Sequence, residues 1–263
     1  MTQTTLLDQA YAEMENAAEN DAHRLRFYER LSDVELFMVL DNEPDGDHID
    51  PQVIEYEGQS FVLVFDTEDR LADFTGQITP YVGISGRVLV SMLAQAGLGL
   101  GLNLDVAPSS TLLPNDVMIW LDDVLSQTPD EVEARPIEFS PPHNIPQIVL
   151  DALDKKLVSA SGLAQEVWLT AVTYEGGAKG HLLAFIDTPE GAEHALAKAA
   201  YEALNFSGIE AGSIDVAFFD PTEGAAIAIR RCGLRFELPE PTQPDDYKPA
   251  APGMDPDKPP RLK

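Results

Sequence analysis

Apolar positions along this chain repeat with two periods, and the switches between them lay out its elements. Leu6, Leu7, Ala10, Met14 and Ala17 recur at helical spacing, and Leu25, Tyr28 and Leu31 resume the pattern after a polar break at Asn20 and Asp21. Two N-terminal helices, or one bent helix, are expected. Short apolar runs at Val34–Leu40, Val53–Tyr56, Phe61–Phe65, Tyr81–Ile84 and Leu98–Leu102 read as strands, with Glu57, Gly58, Gln59 and Ser60 spaced as a hairpin turn. Thr67 is a plausible N-cap, with Glu68 and Asp69 placing negative charge in the first turn of a short helix that carries Leu71 and Phe74. Further helices are predicted over Arg87–Ala96 and Asn115–Leu125; the second sets Val117, Trp120, Leu121 and Val124 on one face.

Five prolines, Pro129, Pro136, Pro141, Pro142 and Pro146, then interrupt regular structure and mark a junction. The pattern predicts one domain over residues 1–135 and a second over 136–238. In the second, Ile145 to Leu157 forms an amphipathic helix, Val167–Tyr174 and His181–Ile186 are strands about Gly176 and Gly177, and Thr188 is expected to cap a long helix beginning at Pro189. Ile214–Phe219, a helix from about Thr222 to Cys232, and Leu234–Leu238 complete it. Residues 239–263 are rich in Pro, Asp and Lys with almost no large apolar side chain, so a disordered tail is expected there.

Local punctuation repeats between the halves. The run Phe61–Phe65 is followed by Asp66 and Thr67, and Leu182–Ile186 by Asp187 and Thr188; a helix exits through Gly97 and Leu98 in one half and through Gly233 and Leu234 in the other. The fold class read from this is α+β, two domains, each a mixed β-sheet with helices mainly on one face, and an internal duplication would account for the resemblance. On that reading Gly97 and Gly233 should both end their helices in the left-handed conformation.

Composition narrows the function classes. The chain has 263 residues, 44% of them hydrophobic, and no apolar stretch approaching the roughly 18 residues of a membrane span. Its first residues lack the basic start and apolar centre of a secretory signal, and the single cysteine, Cys232, suits a reducing compartment; a cytoplasmic location is expected. With 45 Asp and Glu against 17 Lys and Arg, the formal charge is −28. A surface of that sign repels phosphate backbones and anionic lipid, so neither nucleic acid nor a membrane is expected as partner.

The order Phe61 to Phe65, Asp66, Thr67, Glu68 and Leu71, then Val82 to Leu89, then Gly97 to Asn103 resembles the N-terminal domain of the SseB family, named for enhanced serine sensitivity. The segment from about Pro136 to Pro239, with Ile214, Asp215 and Val216 before a helix and Ile229, Arg230 and Gly233 near its end, is similar to the family's C-terminal domain. One departure is that Asn103 is followed by Leu104, where the family commonly has Asn-Pro. The resemblance implies the two-domain fold; the name records a phenotype and implies no reaction.

Motifs with chemistry are sparse. Gly97 to Asn103 alternates Gly with Leu, but Leu102 stands where a dinucleotide fingerprint needs glycine, so packing explains it better, the glycines allowing a helix to approach closely. Asp41, Glu43, Asp45 and Asp47 suggest a calcium loop, yet its twelfth position is Gln52 and Pro44 lies inside. Cys232 reads as a small residue packed beside Gly233. His23, His48, His143, His181 and His194 form no spaced pair, and Ser109 and Ser110 read as turn residues. No metal, cofactor or catalytic set is indicated. The expectation is a non-enzymatic binding or regulatory protein acting through a protein partner or a small ligand, with an enzyme of small-molecule metabolism, its site between the domains, as the alternative. Asp66, Thr67 and Asn103, at strand ends, are the candidate binding residues, on the premise that such ends face an interdomain surface.

Overall fold

The structure is a computed structural model, and it describes residues 4–17, 19–44, 49–128, 134–208 and 214–239. The expected tail from residue 240 and the centre of the acidic loop, residues 45–48, lie outside the described residues.

Two helices open the chain, α1 (Leu6–Asn16) and α2 (Asp21–Asp33), separated at the polar break. Asn20 caps α2 by accepting from the Ala22 amide at 3.1 Å. The first sheet comprises β1 (Glu35–Val39), β2 (Val53–Tyr56), β3 (Gln59–Phe65), β4 (Tyr81–Ser85), β5 (Gly99–Leu102) and β6 (Thr111–Leu113), with α3 (Glu68–Thr75), α4 (Gly86–Ala96) and α5 (Asn115–Ser126) between and after them. Its strand order is β4-β1-β3-β5-β6, and β2 pairs with β3 beside β1. The β2–β3 turn uses positive φ at Glu57 and Gly58, 50° and 80°, the twist that suits a two-residue hairpin.

Strand alternation divides the first half into two layers. Leu36, Met38, Leu40, Val62, Val64, Leu100 and Leu102 face α1, α2, α4 and α5, which contribute Leu7, Phe27, Leu31, Leu89, Leu93, Met118 and Leu121 to one buried cluster. The other face is thinner: Val39, Leu63 and Phe65 meet Leu71 of α3, with Phe37, Ile54, Phe74, Leu104 and Val106 half-buried around them. Each fully buried side chain of this kind contributes about 1.5–3 kcal/mol from surface removed from water.

The second half holds β7 (Pro136–Ser140), α6 (Gln147–Leu157), a 3₁₀ turn at Val158–Ala160, β8 (Glu166–Tyr174), β9 (Lys179–Ile186), α7 (Glu193–Phe206), β10 (Ile214–Phe219), α8 (Gly224–Cys232) and β11 (Leu234–Phe236). The sheet order is β10-β9-β8-β11, with β7 alongside β8. Val167, Leu169, Leu183, Phe185 and Ile214 pack against Val149, Leu153 and Leu157 of α6 and Leu196, Ala200 and Leu204 of α7. Helix α8 lies on the opposite face, where Cys232 Sγ is 3.7 Å from Thr170 Oγ1. The fold is therefore α+β with two mixed sheets, helices mainly on one face of each, and α3 and α8 as the exceptions.

Five sequence expectations are corrected. Pro136–Ser140 and Thr111–Leu113 are strands, though the first lies in the proline-rich stretch and the second is only three residues long. Thr188 does not cap α7; Gly191, at φ 89°, turns the chain first, and the helix begins at Glu193 after Ala192. Gly97 is left-handed, φ 72°, but Gly233 is extended, φ −74° and ψ 159°. Glycine is needed at 233 for space instead, since a Cβ there would stand 3.0 Å from the Ile229 carbonyl oxygen and 3.3 Å from that of Leu169. The glycines of β5 likewise make room for strand and loop neighbours and not for a helix: a Cβ at Gly99 would meet the Phe61 ring at 2.6 Å, and one at Gly101 would meet Leu104 at 3.2 Å.

The fifth concerns duplication. In space, β4-β1-β3-β5 and β11-β8-β9-β10 share one pattern of directions, an antiparallel edge pair followed by a parallel pair. Chain order differs. After β3 the chain goes to the far edge, β4, and returns to β5 beside it; after β9 it goes next door to β10 and then to the far edge, β11. The first of these crossover helices, α3, lies on the thin face, whereas α7 lies on the thick one. The two halves have different topologies, and their shared Asp-Thr and Gly-Leu marks are local coincidences of turn chemistry.

Candidate functional site

Parallel pairing of β3 with β5, Val64 opposite Leu102, brings the residues that follow them side by side. The Asp66 amide donates to Asn103 Oδ1 at 3.0 Å, and the Asn103 amide donates to the Val64 carbonyl at 2.9 Å. Asn103 holds φ 47°, a left-handed value that asparagine tolerates better than most side chains. Thr67 caps α3, its Oγ1 accepting from the Arg70 amide at 3.3 Å. All three sequence candidates thus meet at one place, the carboxyl end of the parallel pair, and the side-chain hydrogen bonds they make are to residues of the first half, not to an interdomain surface.

What they meet is a buried ion cluster that sequence inspection missed. Arg70, one turn into α3, is 1% exposed; its Nη1 donates to Asp66 Oδ1 and Oδ2 at 2.7 and 2.9 Å and to Asp8 Oδ1 at 3.2 Å, and its Nη2 donates to Asp8 Oδ2. Ser109 Oγ donates to Asp8 Oδ1 at 2.6 Å and accepts from Asn103 Nδ2 at 2.9 Å. Thr5 Oγ1 donates to Asp66 Oδ2 at 2.7 Å, and Thr5 with Asp8 forms the capping box of α1. Burial pushes the Asp8 carboxyl up, but the hydrogen bonds from Arg70, Ser109 and the Thr5 amide outweigh it and hold the group below its ordinary value. The signals that could have found the cluster were the Thr5-to-Asp8 capping spacing and the one-turn spacing of Asp66 and Arg70.

Open α/β sheets commonly take ligands just outside the carboxyl ends of adjacent parallel strands. Here that crevice is filled from within. The first turn of α1 is bonded there, Thr5 to Asp66 and the Asp8 carboxylate to Arg70 and Ser109.

A second ion cluster joins the halves. Arg87 of α4 grips Glu202 of α7 in two parallel hydrogen bonds of 2.7 and 2.9 Å, and Lys156 of α6 lies 2.8 Å from Asp33, 3.3 Å from Glu202 and 3.7 Å from Glu29. Burial raises the Glu29 carboxyl, only partly offset by Lys156. Burial also pushes Glu202 up, yet Arg87 and Lys156 overcome it and leave the group lowered. Beside this cluster runs a cleft of about 340 Å³ lined by Val88, Met92, Asp122, Leu125 and Lys198 among others.

In the second half, β9 brings His181 to His143, ring centroids 5.4 Å apart, with His181 Nε2 3.0 Å from the His143 carbonyl oxygen, a proximity their separation in sequence conceals. Tyr174 donates to Asp215 at 2.5 Å, and Arg230 pairs with Glu166 at 2.7 Å. Cys232 is half-buried beside Gly233, its Sγ 3.4 Å from the Ala228 carbonyl. Among the described residues no group of three or more His, Cys, Asp or Glu side chains is placed to hold a metal ion, and no helix is long and apolar enough to cross a membrane.

Residues 7–120 match the sequence profile of the SseB protein N-terminal domain, which spans the ion cluster from Asp8 to Ser109 and both layers around the first sheet. No curated protein and no solved structure matches the chain. Over that stretch the chain is similar to the SseB protein N-terminal domain.

Proposed function

We propose that this chain belongs to the SseB family and is a binding or regulatory protein that acts through contact with another protein and not by catalysis. The observation that carries the reading is the filled crevice: at the place where such a sheet would bind a substrate, Asp8, Asp66, Arg70, Asn103 and Ser109 satisfy one another below the surface. Other cations are similarly engaged, Arg87 with Glu202, Lys156 with Asp33 and Arg230 with Glu166. An excess of 45 acidic over 17 basic side chains leaves the outer surface negative, and the complementary partner is a basic protein surface. A cytoplasmic setting belongs to the same reading, as does the exclusion of nucleic acid and anionic membranes.

The test is affinity purification of the tagged full chain, with mass spectrometry of both proteins and small molecules that come with it. Recovery of a basic protein that dissociates as salt is raised is the expected result. Stoichiometric recovery of a metabolite, with turnover when the purified chain meets it, would replace this reading with the enzymatic one. That second reading has its own support in the cleft at the junction, where Arg87, Ser91, Gln95, Asp122 and Lys198 bring polar groups from both halves together.

A further inference from the structure

Strand β4 forms one edge of the first sheet, and among the described strands it pairs with β1 alone. The Gly86 amide donates to Val34 and the Leu40 amide to Pro80, so by the alternation of an antiparallel ladder Val82 and Ile84 spend their backbone groups on β1. The backbone N–H and C=O of Tyr81 and Gly83 and the N–H of Ser85 therefore point away from the sheet, while the Ser85 carbonyl, at the N-cap of α4, starts the helix ladder. All three residues are exposed, Tyr81 to 43%.

The side chains around this edge share one chemistry. Those of Tyr81 and Ser85 lie on the thin face of the sheet, opposite Val39 and Glu35 of β1, and bare Gly83 between them lies opposite Phe37. Gly83 leaves the face open, and a Cβ there would come within 3.0 Å of Glu35 Oε1, so that carboxylate hangs over the glycine. At the other end Tyr81 donates its hydroxyl to Glu68 at 2.7 Å. Between the two carboxylates the rings of Phe37 and Tyr81 stand edge to face, 6.0 Å apart. An aromatic floor with a carboxylate at each end suits a cationic side chain, attracted both by the charges and by the ring faces.

We propose that β4 is a docking edge for an extended, cationic segment of a partner protein, which adds to the sheet as a further strand and sets alternate Lys or Arg side chains over Phe37 and Tyr81 between Glu35 and Glu68. Main-chain hydrogen bonds to Tyr81, Gly83 and Ser85 supply affinity, and the two carboxylates supply the choice of charge. The proposal rests on the reading of the chain as a binding protein for basic partners and gives that reading a place. A second copy of this chain is opposed as occupant by its own net charge of −28.

The experiment titrates the full-length ¹⁵N-labelled chain with an eight-residue peptide of alternating Lys and Val, and with one of alternating Glu and Val. Saturable shifts and slowed exchange at the amides of Tyr81, Gly83 and Ser85 with the cationic peptide only, weakened about tenfold or more by E35Q combined with E68Q and similarly by 1 M salt, are the expected result. Cationic-peptide shifts that map elsewhere would overturn the docking edge while leaving the broader binding reading standing. Absence of any binding, or equal binding of the acidic peptide, would overturn the docking edge and its charge argument together. Self-association of the E35Q/E68Q chain with the β4 amides unmoved by peptide would also overturn it, since the carboxylates would then be guards against edge pairing.

Discussion

Arg70 reaches back 62 residues in sequence to Asp8, and both side chains are sealed from solvent, 1% and 2% exposed. The pair fastens the first turn of α1 to α3 across the end of the sheet. Replacing Arg70 with Met would strand two carboxylates in a buried setting, and a loss of about 3–5 kcal/mol in unfolding free energy is expected from urea titration. A loss under about 1 kcal/mol would show that water reaches the cluster and that the seal is weaker than drawn.

Asn103 combines two roles that substitution can separate. Asn103→Gly keeps the left-handed backbone and removes the bonds to the Asp66 amide and Ser109, whereas Asn103→Ala also adds backbone strain. Glycine is expected to cost about 1–3 kcal/mol and alanine about 1 kcal/mol more. Equal costs would mean that the backbone at this turn relaxes.

The junction acids should respond to pH with opposite signs. Glu202 is lowered in the folded chain, so its contribution is present above the ordinary carboxylate value and is lost as pH falls through the depressed one. Glu202→Gln should therefore destabilise near neutrality, by about 3–5 kcal/mol for a broken buried pair, and approach the parent chain in acid. Glu29 is raised, so the fold favours its protonated form; that favour is complete below the unfolded value and disappears as pH rises through the folded one. Glu29→Gln should be at least as stable as the parent at neutral pH. Thermal melts of both variants from pH 3.5 to 7.5 check the pair of signs.

Gly97 and Gly233 should respond differently to asparagine. At Gly97 the surroundings are open and only the positive φ of 72° restricts the residue, so alanine is expected to cost about 1 kcal/mol and asparagine less. At Gly233 the φ of −74° is ordinary and crowding against Ile229, Leu169 and Trp168 is the constraint, so asparagine should be worse than alanine. Chemical denaturation of the four variants gives the order.

Element identity was legible in this sequence because it is local. The hairpin at Glu57 and Gly58, the Thr67 cap and the helix from Asn115 follow from spacing over a few residues, and each is present. Strand order was not legible: Phe61–Phe65 and Leu182–Ile186 carry the same alternation whether the next strand lies beside them or across the sheet, and that choice decided against duplication. The site was half legible. Asp66, Thr67 and Asn103 stood out as strand-end polar residues and do converge, but their partners Asp8 and Ser109 come from distant segments, and nothing local to either marks it as buried. His143 and His181 were invisible as a pair for the same reason.

Phe206, the last residue of α7, belongs to the second half by chain and to the first half by packing: it is 1% exposed within the cluster built on Leu36, Val62 and Leu100. Removing the second half would thus open a hole in the core of the first, about the size of a benzyl group, and would at the same time take Glu202 from Arg87 and Lys156 from Glu29 and Asp33. Loss of such an aromatic from a core costs about 3–5 kcal/mol, comparable to the whole margin of a small domain. The halves are accordingly one thermodynamic unit, and heat should unfold the chain in a single cooperative transition in which neither sheet outlives the other.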